Sequence, residues 1–363
     1  MNTKITLLIV DDSRIFRSAI EESLAGEDDI EVIGSVWNGM KAIEFIRSRP
    51  PDLVTLDVEM PHMDGLETLK AIQEINASNS QSKLIGVIML SSFTQKGADI
   101  TIEALEMGAF DFIQKPESKN PGENIGILRR RLITKIRYFA SKRIFSGLAQ
   151  PHIALAPLPE IRPEFSVSLR IKSILIGVST GGPRALADIL PRLCEKVDVP
   201  IFIVQHMPPT FTQSLARSLD ARCRYTVMEG RHNHIVRERH VYIAPGGKHM
   251  LLKGGDQTVR TVVNNQPPEN GCRPSVDVLF RSGATVYGKD VIAVVLTGMG
   301  MDGTKGAKAL KRAGAFIIAQ DKETSVVWGM PGSVETSGNA DKVLPLNEIP
   351  HAVISKMLKS GTE

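Results

Sequence analysis

The chain has 363 residues, 42% hydrophobic and 23% charged, which suits a globular protein large enough for two ordinary domains. A net charge of +4 is too small to argue for nucleic acid, and no run of 18 apolar residues offers a membrane-spanning helix. Three cysteines without a C-x-x-C pair exclude a disulfide framework and a zinc motif, and fit a reducing, cytoplasmic setting. The first apolar run, Ile5–Val10, is too short for a secretory signal and stops at two aspartates.

Residues 4–116 alternate strand and helix signals. Strands are expected at Ile5–Val10, Glu31–Val36, Leu53–Leu56, Lys83–Leu90 and Ala109–Ile113. Between them come a helix with Ile15, Phe16, Ala19, Ile20 and Leu24 on one face, then helices over Lys41–Arg47, Leu66–Ile75 and Ala98–Met107. Such alternation implies a parallel sheet with helices on both faces, and sites in such sheets form at the carboxyl ends of the strands. Those ends carry Asp11 and Asp12, Asp57 with Glu59 two positions on, Ser91, and Lys115 before Pro116. Converging carboxylates suit a hard divalent cation such as Mg²⁺, and a lysine and a hydroxyl beside them suit a transferred phosphoryl group. One such Asp would be an ordinary turn residue or helix cap. Four matched groups on successive strand ends are a site.

This stretch resembles the response-regulator receiver domains, through V-D-D at 10–12, L-D-V-E-M-P-x-M-D-G at 56–65, S-S at 91–92 and K-P at 115–116. The resemblance implies a flavodoxin-like fold in which Asp57 accepts a phosphoryl group from a histidine kinase. It implies that Asp11, Asp12, Asp57 and the backbone carbonyl of Glu59 hold Mg²⁺, that Ser91 and Lys115 contact the phosphoryl oxygens, and that Phe112 takes the switch-aromatic position.

Glu123–Ala140 reads as a last receiver helix, with Arg129–Arg131 on a basic, solvated face. From Ser141 to Ser168 the periodicity breaks, and P-H-I-A-L-A-P-L-P-E-I-R-P suits a semi-rigid linker.

The second half opens on S-I-L-I-G-V-S-T-G-G-P at 173–183, followed by Leu186, Ile189, Leu190 and Leu193 at helical spacing. Gly177 to Gly181 fits G-x-S-x-G, which lifts a serine onto a sharp strand-to-helix turn. Ser179 is a candidate nucleophile; a turn that only connects the elements, or cradles a phosphate, is the competing reading. A serine needs a base, and Val199–Val204 is an apolar strand ending in Gln205 and His206. His232, His234 and His240 lack cysteine or carboxylate at ligand spacing and do not argue for a metal.

Further strands are expected at Val241–Ala244, Asp290–Leu296 and Ala315–Ala319, with helices starting at Arg273–Asp277 and over Ala307–Ala313. After Leu296, Gly298-x-Gly300-x-x-Gly303 follows a strand and opens a helix, and Asp321 ends the next strand. That satisfies a dinucleotide-binding fingerprint. The rival is that Asp302 orients His206 and a backbone N–H at Met299 helps form an oxyanion hole. The rival is favoured because a Ser and a His already stand on earlier strand ends of the same inferred sheet.

Order, spacing and motifs together resemble the chemotaxis response-regulator protein-glutamate methylesterases, the CheB family. S-T-G-G-P at 179–183, Q-H-M-P at 205–208, V-Y-I-A-P-G-G-K-H-M at 241–250, R-P-S-V-D at 273–277, L-T-G-M-G-M-D-G at 296–303 and M-P-G-S-V at 330–334 carry it. The resemblance implies a receiver over 1–122, the last receiver helix and linker over 123–169, and a parallel-sheet α/β hydrolase domain over 170–358. It implies phosphorylation-activated hydrolysis of glutamate γ-methyl esters on methyl-accepting chemoreceptors, with glutamine deamidation in some members. Ser179, His206 and Asp302 would form the triad, with Met299 and Thr180 at the oxyanion hole and no cofactor in the catalytic domain. The unphosphorylated receiver would limit access to the esterase. One departure is Cys272, where the family often has His. A nicotinamide-dependent oxidoreductase and a non-enzymatic adaptor are the other classes to set beside it.

Overall fold

The computed structural model describes residues 4–78, 84–118, 120–145, 171–255 and 258–359. Two compact units divide the chain, Met1–His152 and Ile153–Glu363.

The first unit runs β1 (Ile5–Val10), α1 (Arg14–Leu24), β2 (Ile30–Val36), α2 (Gly39–Ser48), β3 (Leu53–Asp57), α3 (Gly65–Ser78), β4 (Gly86–Ser91), α4 (Gln95–Glu106), β5 (Asp111–Gln114) and α5 (Pro121–Phe145). Its sheet is parallel in the order β2-β1-β3-β4-β5, the flavodoxin-like winding. The central strand β3 is buried throughout, as a sheet covered on both faces requires. Helices start where the sequence supplies caps: Ser13, Asn38 and Thr94 side chains accept from the N–H of Phe16, Lys41 and Gly97. The order reverses between β1 and β3, so Asp11 and Asp57 fall on either side of the crevice.

Two expectations need correction here. Ile15 is 84% exposed, because the buried stripe of α1 runs through Ile20, Ser23 and Leu24, and Ile15 sits one residue off it. The last helix runs on to Phe145, past the expected break at Ser141. Residues 141–145 therefore continue the helix instead of opening the linker. Leu128, Leu132 and Ile136 are buried, and the basic face is paired: Arg137 with Asp29 (2.7 Å) and Glu27 (2.7 Å), Arg129 with Glu27, Lys135 with Asp111. The Pro-rich segment and the start of strand four at Lys83 lie outside the described residues.

The second unit runs β6 (Ser173–Val178), α6 (Gly182–Lys196), β7 (Ile201–Gln205), α7 (Phe211–Asp220), β8 (Thr226–Glu229), β9 (His234–Ile235), β10 (His240–Ile243), β11 (His249–Gly255), β12 (Thr258–Asn264), α8 (Val276–Tyr287), β13 (Val291–Val295), α9 (Thr304–Arg312), β14 (Phe316–Gln320), α10 (Met330–Thr336), β15 (Lys342–Leu344) and α11 (Ile349–Lys359). Seven parallel strands follow the order β15-β14-β13-β6-β7-β10-β8. Strands β6, β7 and β13 are buried along their whole length. Winding proceeds from β6 outward to one side through β7 and returns to the other through β13. The switch point therefore lies between β6 and β13, where doubly wound sheets open their crevice.

One element is an addition to the expected parallel sheet. Strands β11, β12 and β9 form a separate antiparallel sheet. Met250 and Leu252 of β11 join the core with Leu279 and Phe280 of α8, and Leu252 N donates to Ser282 Oγ (3.0 Å).

Candidate active site

Ser179 follows β6 at the switch point. Its N–H donates to Thr297 O (3.0 Å), and its carbonyl accepts from Gly182 N (2.8 Å) and Gln205 Nε2 (2.9 Å). Gly181 takes φ +79° in the left-handed region, and a Cβ there would meet Val326 at 2.6 Å, so the turn admits only glycine. The serine is thereby held at the entrance of α6.

His206 follows β7, next in the sheet. Its Nε2 is 2.8 Å from Asp302 Oδ2, and its Nδ1 is 3.7 Å from Cys272 Sγ. Asp302 lies in the loop between β13 and α9. Oδ2 also accepts from Val276 N (2.7 Å), while Oδ1 accepts from Ser275 Oγ (2.8 Å), Asn270 Nδ2 (3.1 Å) and Asp277 N (3.2 Å). The R-P-S-V-D stretch therefore receives its purpose: it brings the N-terminus of α8 onto the Asp302 carboxylate, where free N–H groups and the helix dipole favour negative charge. Asp277 extends the network, accepting from Gly306 N (2.6 Å) and Asn270 (2.9 Å).

The electrostatics follow from these bonds. Burial favours a neutral Asp302, but the bond to His206 and the helix-end donors outweigh it and hold the pKa at about 2. Burial opposes charge on His206, but Asp302 and then Cys272 outweigh it and raise its pKa to about 9. The carboxylate accepts, so Nε2 carries the proton of the neutral ring and Nδ1 offers the lone pair. Among the described residues the Ser179 hydroxyl makes no hydrogen bond, and Nδ1 is the imidazole nitrogen not tied to Asp302.

Met299 and Thr180 flank this group. The Met299 backbone N–H has no acceptor among the described residues, and Thr180 O accepts from Thr297 Oγ1 (2.9 Å). The glycine fingerprint has a local explanation. A Cβ on Gly298 would lie 2.8 Å from Ser179 Cβ and 2.5 Å from Met330 Sδ, so this glycine allows the close approach of the β13 loop to the serine turn. Asp321 is occupied as a turn residue, Oδ1 accepting from Thr324 N (2.9 Å) and Oγ1 (2.6 Å). His232 and His240 bond to backbone carbonyls.

In the first unit, Lys115 Nζ bridges Asp11 Oδ2 (2.7 Å) and Asp57 Oδ1 (2.9 Å). Asp11 and Asp57 are buried and Asp12 is exposed, with ligand atoms of all three within 4.8 Å of one another. Ser91 Oγ accepts from Thr101 Oγ1 (2.9 Å). Burial, then the charge of Asp11, raises Asp57 to about 6 against the pull of Lys115; burial also raises Asp11. Crowded carboxylates with raised pKa values form a donor set that a hard divalent cation relieves, so the residues fit Mg²⁺. The Glu59 side chain pairs with Lys96 (3.4 Å). Phe112 is buried.

Fold and sites define a class: a receiver followed by a doubly wound α/β domain with Ser, His and Asp on adjoining strand ends. Residues 7–123 match the response regulator receiver domain family, and residues 174–353 match the CheB methylesterase family. The chain is 42% identical over 358 residues to a protein-glutamate methylesterase/protein-glutamine glutaminase of Trichodesmium erythraeum, covering 98% of this chain and 99% of that one. A protein of the same description from Desulfotalea psychrophila is 41% identical over 362 residues, covering 96% and 97%. The Thermotoga maritima CheB methylesterase catalytic domain is 47% identical with a TM-score of 0.50, covering 51% of this chain and 98% of that structure. The chain belongs to the CheB methylesterase family.

Sequence reasoning missed Asn270, Ser275 and Asp277 as holders of Asp302, and it did not place Cys272 against the imidazole. The signal for Ser275 and Asp277 was present in R-P-S-V-D, where a helix start without its own cap bond needs an external acceptor.

Proposed function

We propose that the chain hydrolyses glutamate γ-methyl esters on methyl-accepting chemoreceptors, and that phosphorylation of Asp57 by a chemotaxis-type histidine kinase raises the rate. The observation that carries the reading is the His206–Asp302 bond beside the serine turn. Asp302 fixes Nε2–H, which leaves Nδ1 to take the Ser179 proton. This is the reverse of the more familiar use, in which Nδ1 faces the acid. Ser179 Oγ attacks the ester carbonyl, and the oxyanion is met by the Met299 N–H together with a group at Thr180, each such donor contributing about 3 kcal/mol. His206 returns the proton to the departing methoxide, methanol leaves, and water clears the acyl-serine by the same steps in reverse. A glutamine side chain enters the same sequence with ammonia as the leaving group, in keeping with the names of the relatives.

In the receiver, Asp11, Asp12 and Asp57 would hold Mg²⁺ with the Glu59 carbonyl. The metal would supply charge neutralisation as the anionic donor approaches. Asp57 supplies the accepting oxygen, and Lys115 and Ser91 meet the phosphoryl oxygens. No helix among the described residues is long and apolar enough to cross a membrane.

The test is methanol release from methylated chemoreceptor, with and without a small-molecule phosphodonor. Release should rise with the phosphodonor in the wild type and vanish in Ser179→Ala. Release that survives in Ser179→Ala would remove the nucleophile from the account. Bound-cofactor absorbance or stabilisation by NAD would instead favour the oxidoreductase class.

A further inference from the structure

Cys272 is placed by a specific turn. Glu269 and Cys272 exchange backbone hydrogen bonds (3.0 and 2.9 Å), and between them Asn270 and Gly271 have φ of 52° and 74°. Two successive left-handed residues read Asn-Gly are a type I′ turn, for which this pair is preferred. Arg281 anchors the turn to α8 through two bonds to Glu269 (2.7 and 2.6 Å). Asn270 Nδ2 ties it to Asp277 and Asp302. The turn thus fixes the half-buried thiol 3.7 Å from His206 Nδ1, the nitrogen that Ser179 must use.

Ligand atoms of His206, Cys272 and Asp302 lie within 4.8 Å of one another. A thiolate and an imidazole are the ligands that zinc prefers, whereas Mg²⁺ seeks oxygens. The imidazole is already oriented as a metal ligand would be, with its far nitrogen held by a carboxylate that is itself fully bonded. We propose that a soft divalent cation, zinc, binds His206 Nδ1 and Cys272 Sγ and silences the enzyme by occupying the base. The Nδ1 lone pair and the thiolate pair are donated to the metal, the thiol proton leaves to water, and water completes the coordination. Asp302 stays on Nε2 as the outer partner. The inhibition rests on His206 being the esterase base; the binding itself does not. The two clusters of the chain thereby sort cations by softness: Mg²⁺ to the oxygens of Asp11, Asp12 and Asp57, zinc to the nitrogen and sulfur beside Ser179.

The experiment uses the full unphosphorylated chain with Mg²⁺ in excess and a non-chelating reductant. Methanol release is titrated with zinc, each variant scaled to its own zinc-free rate. Wild type should be inhibited, and Cys272→Ala and Cys272→Ser should need about tenfold more zinc or beyond. In parallel, cobalt is titrated and the thiolate-to-cobalt charge-transfer band is read in the near ultraviolet. The band should appear in wild type and in Ser179→Ala and be missing in both Cys272 variants, which retain Cys194 and Cys223. Equal zinc sensitivity of wild type and the Cys272 variants, or no cobalt band in wild type, overturns the proposal. A cobalt band with no esterase activity in wild type overturns the esterase reading and leaves the metal site standing.

Discussion

Asp302 and Asp57 are both buried aspartates beside the switch point of a parallel sheet, and their surroundings drive them in opposite directions. Asp302 accepts from an imidazole, a hydroxyl, an amide and two N–H groups at a helix end, and sits at about pKa 2. Asp57 has one cation, Lys115, which it shares with Asp11, and it rises to about 6. Burial is common to both. The count of donors against like charges decides the outcome. A carboxylate saturated with donors is a fixed charge, suited to steadying an imidazolium. A carboxylate short of donors and crowded by its own kind is suited to gaining a metal and a phosphoryl group.

The largest predicted effects fall on the saturated site. Ser179→Ala should lower esterase turnover about 10⁴-fold or more, read as methanol release. Asp302→Asn should cost on the order of 10⁴-fold and, by removing the partner that raises His206, should move the pH–rate rise to lower pH. The sign is fixed by the base: His206 must be neutral, so wild-type kcat/KM should climb with pH toward about 9. A profile that is flat across that range would contradict the assignment. Gly298→Ala is intermediate: its Cβ would press on Ser179 Cβ, and a displacement of about 1 Å should cost roughly a hundredfold. The same variant leaves turnover untouched if the glycine serves only a nucleotide.

The effects on the crowded site are smaller. Asp57→Asn should retain a basal rate and give no response to a phosphodonor, and a preserved response would move the switch elsewhere. It should also stabilise the receiver at neutral pH. A folded pKa raised above the unfolded value contributes stability below about pH 4 that is lost as pH rises through about 6. The amide carries no such charge, so melting at pH 7.5 without Mg²⁺ should favour the variant by on the order of 3 kcal/mol. Mg²⁺ should narrow the gap.

Much of this comparison is legible in the sequence, for a physical reason. In parallel α/β sheets a polar residue directly after an apolar run sits on the active edge, so Asp11, Asp57, Ser91, Lys115, Ser179 and His206 could be placed from local pattern alone. What joins residues far apart was not legible. Asp302 bonds to residues 25 to 32 positions away, at the start of α8 and in the Asn270 turn before it, and Cys272 meets His206 across 66 positions. The Asn270-Gly271 turn was written in the sequence, but no alternating strands flanked it to mark a hairpin. The antiparallel sheet of β9, β11 and β12 escaped because β9 is two residues long, β12 is half-exposed with threonine and arginine among its valines, and the apolar part of β11 is only Met250–Leu252 before Lys253 and two glycines.

The contrast between a fixed and a poised carboxylate is tested most directly by measuring methanol release from Asp302→Asn and Asp57→Asn side by side, each with and without phosphodonor. The account predicts that Asp302→Asn is crippled in both conditions, while Asp57→Asn keeps its basal rate and ignores the phosphodonor. An Asp302→Asn enzyme near wild-type rate, or an Asp57→Asn enzyme that still responds, would contradict it.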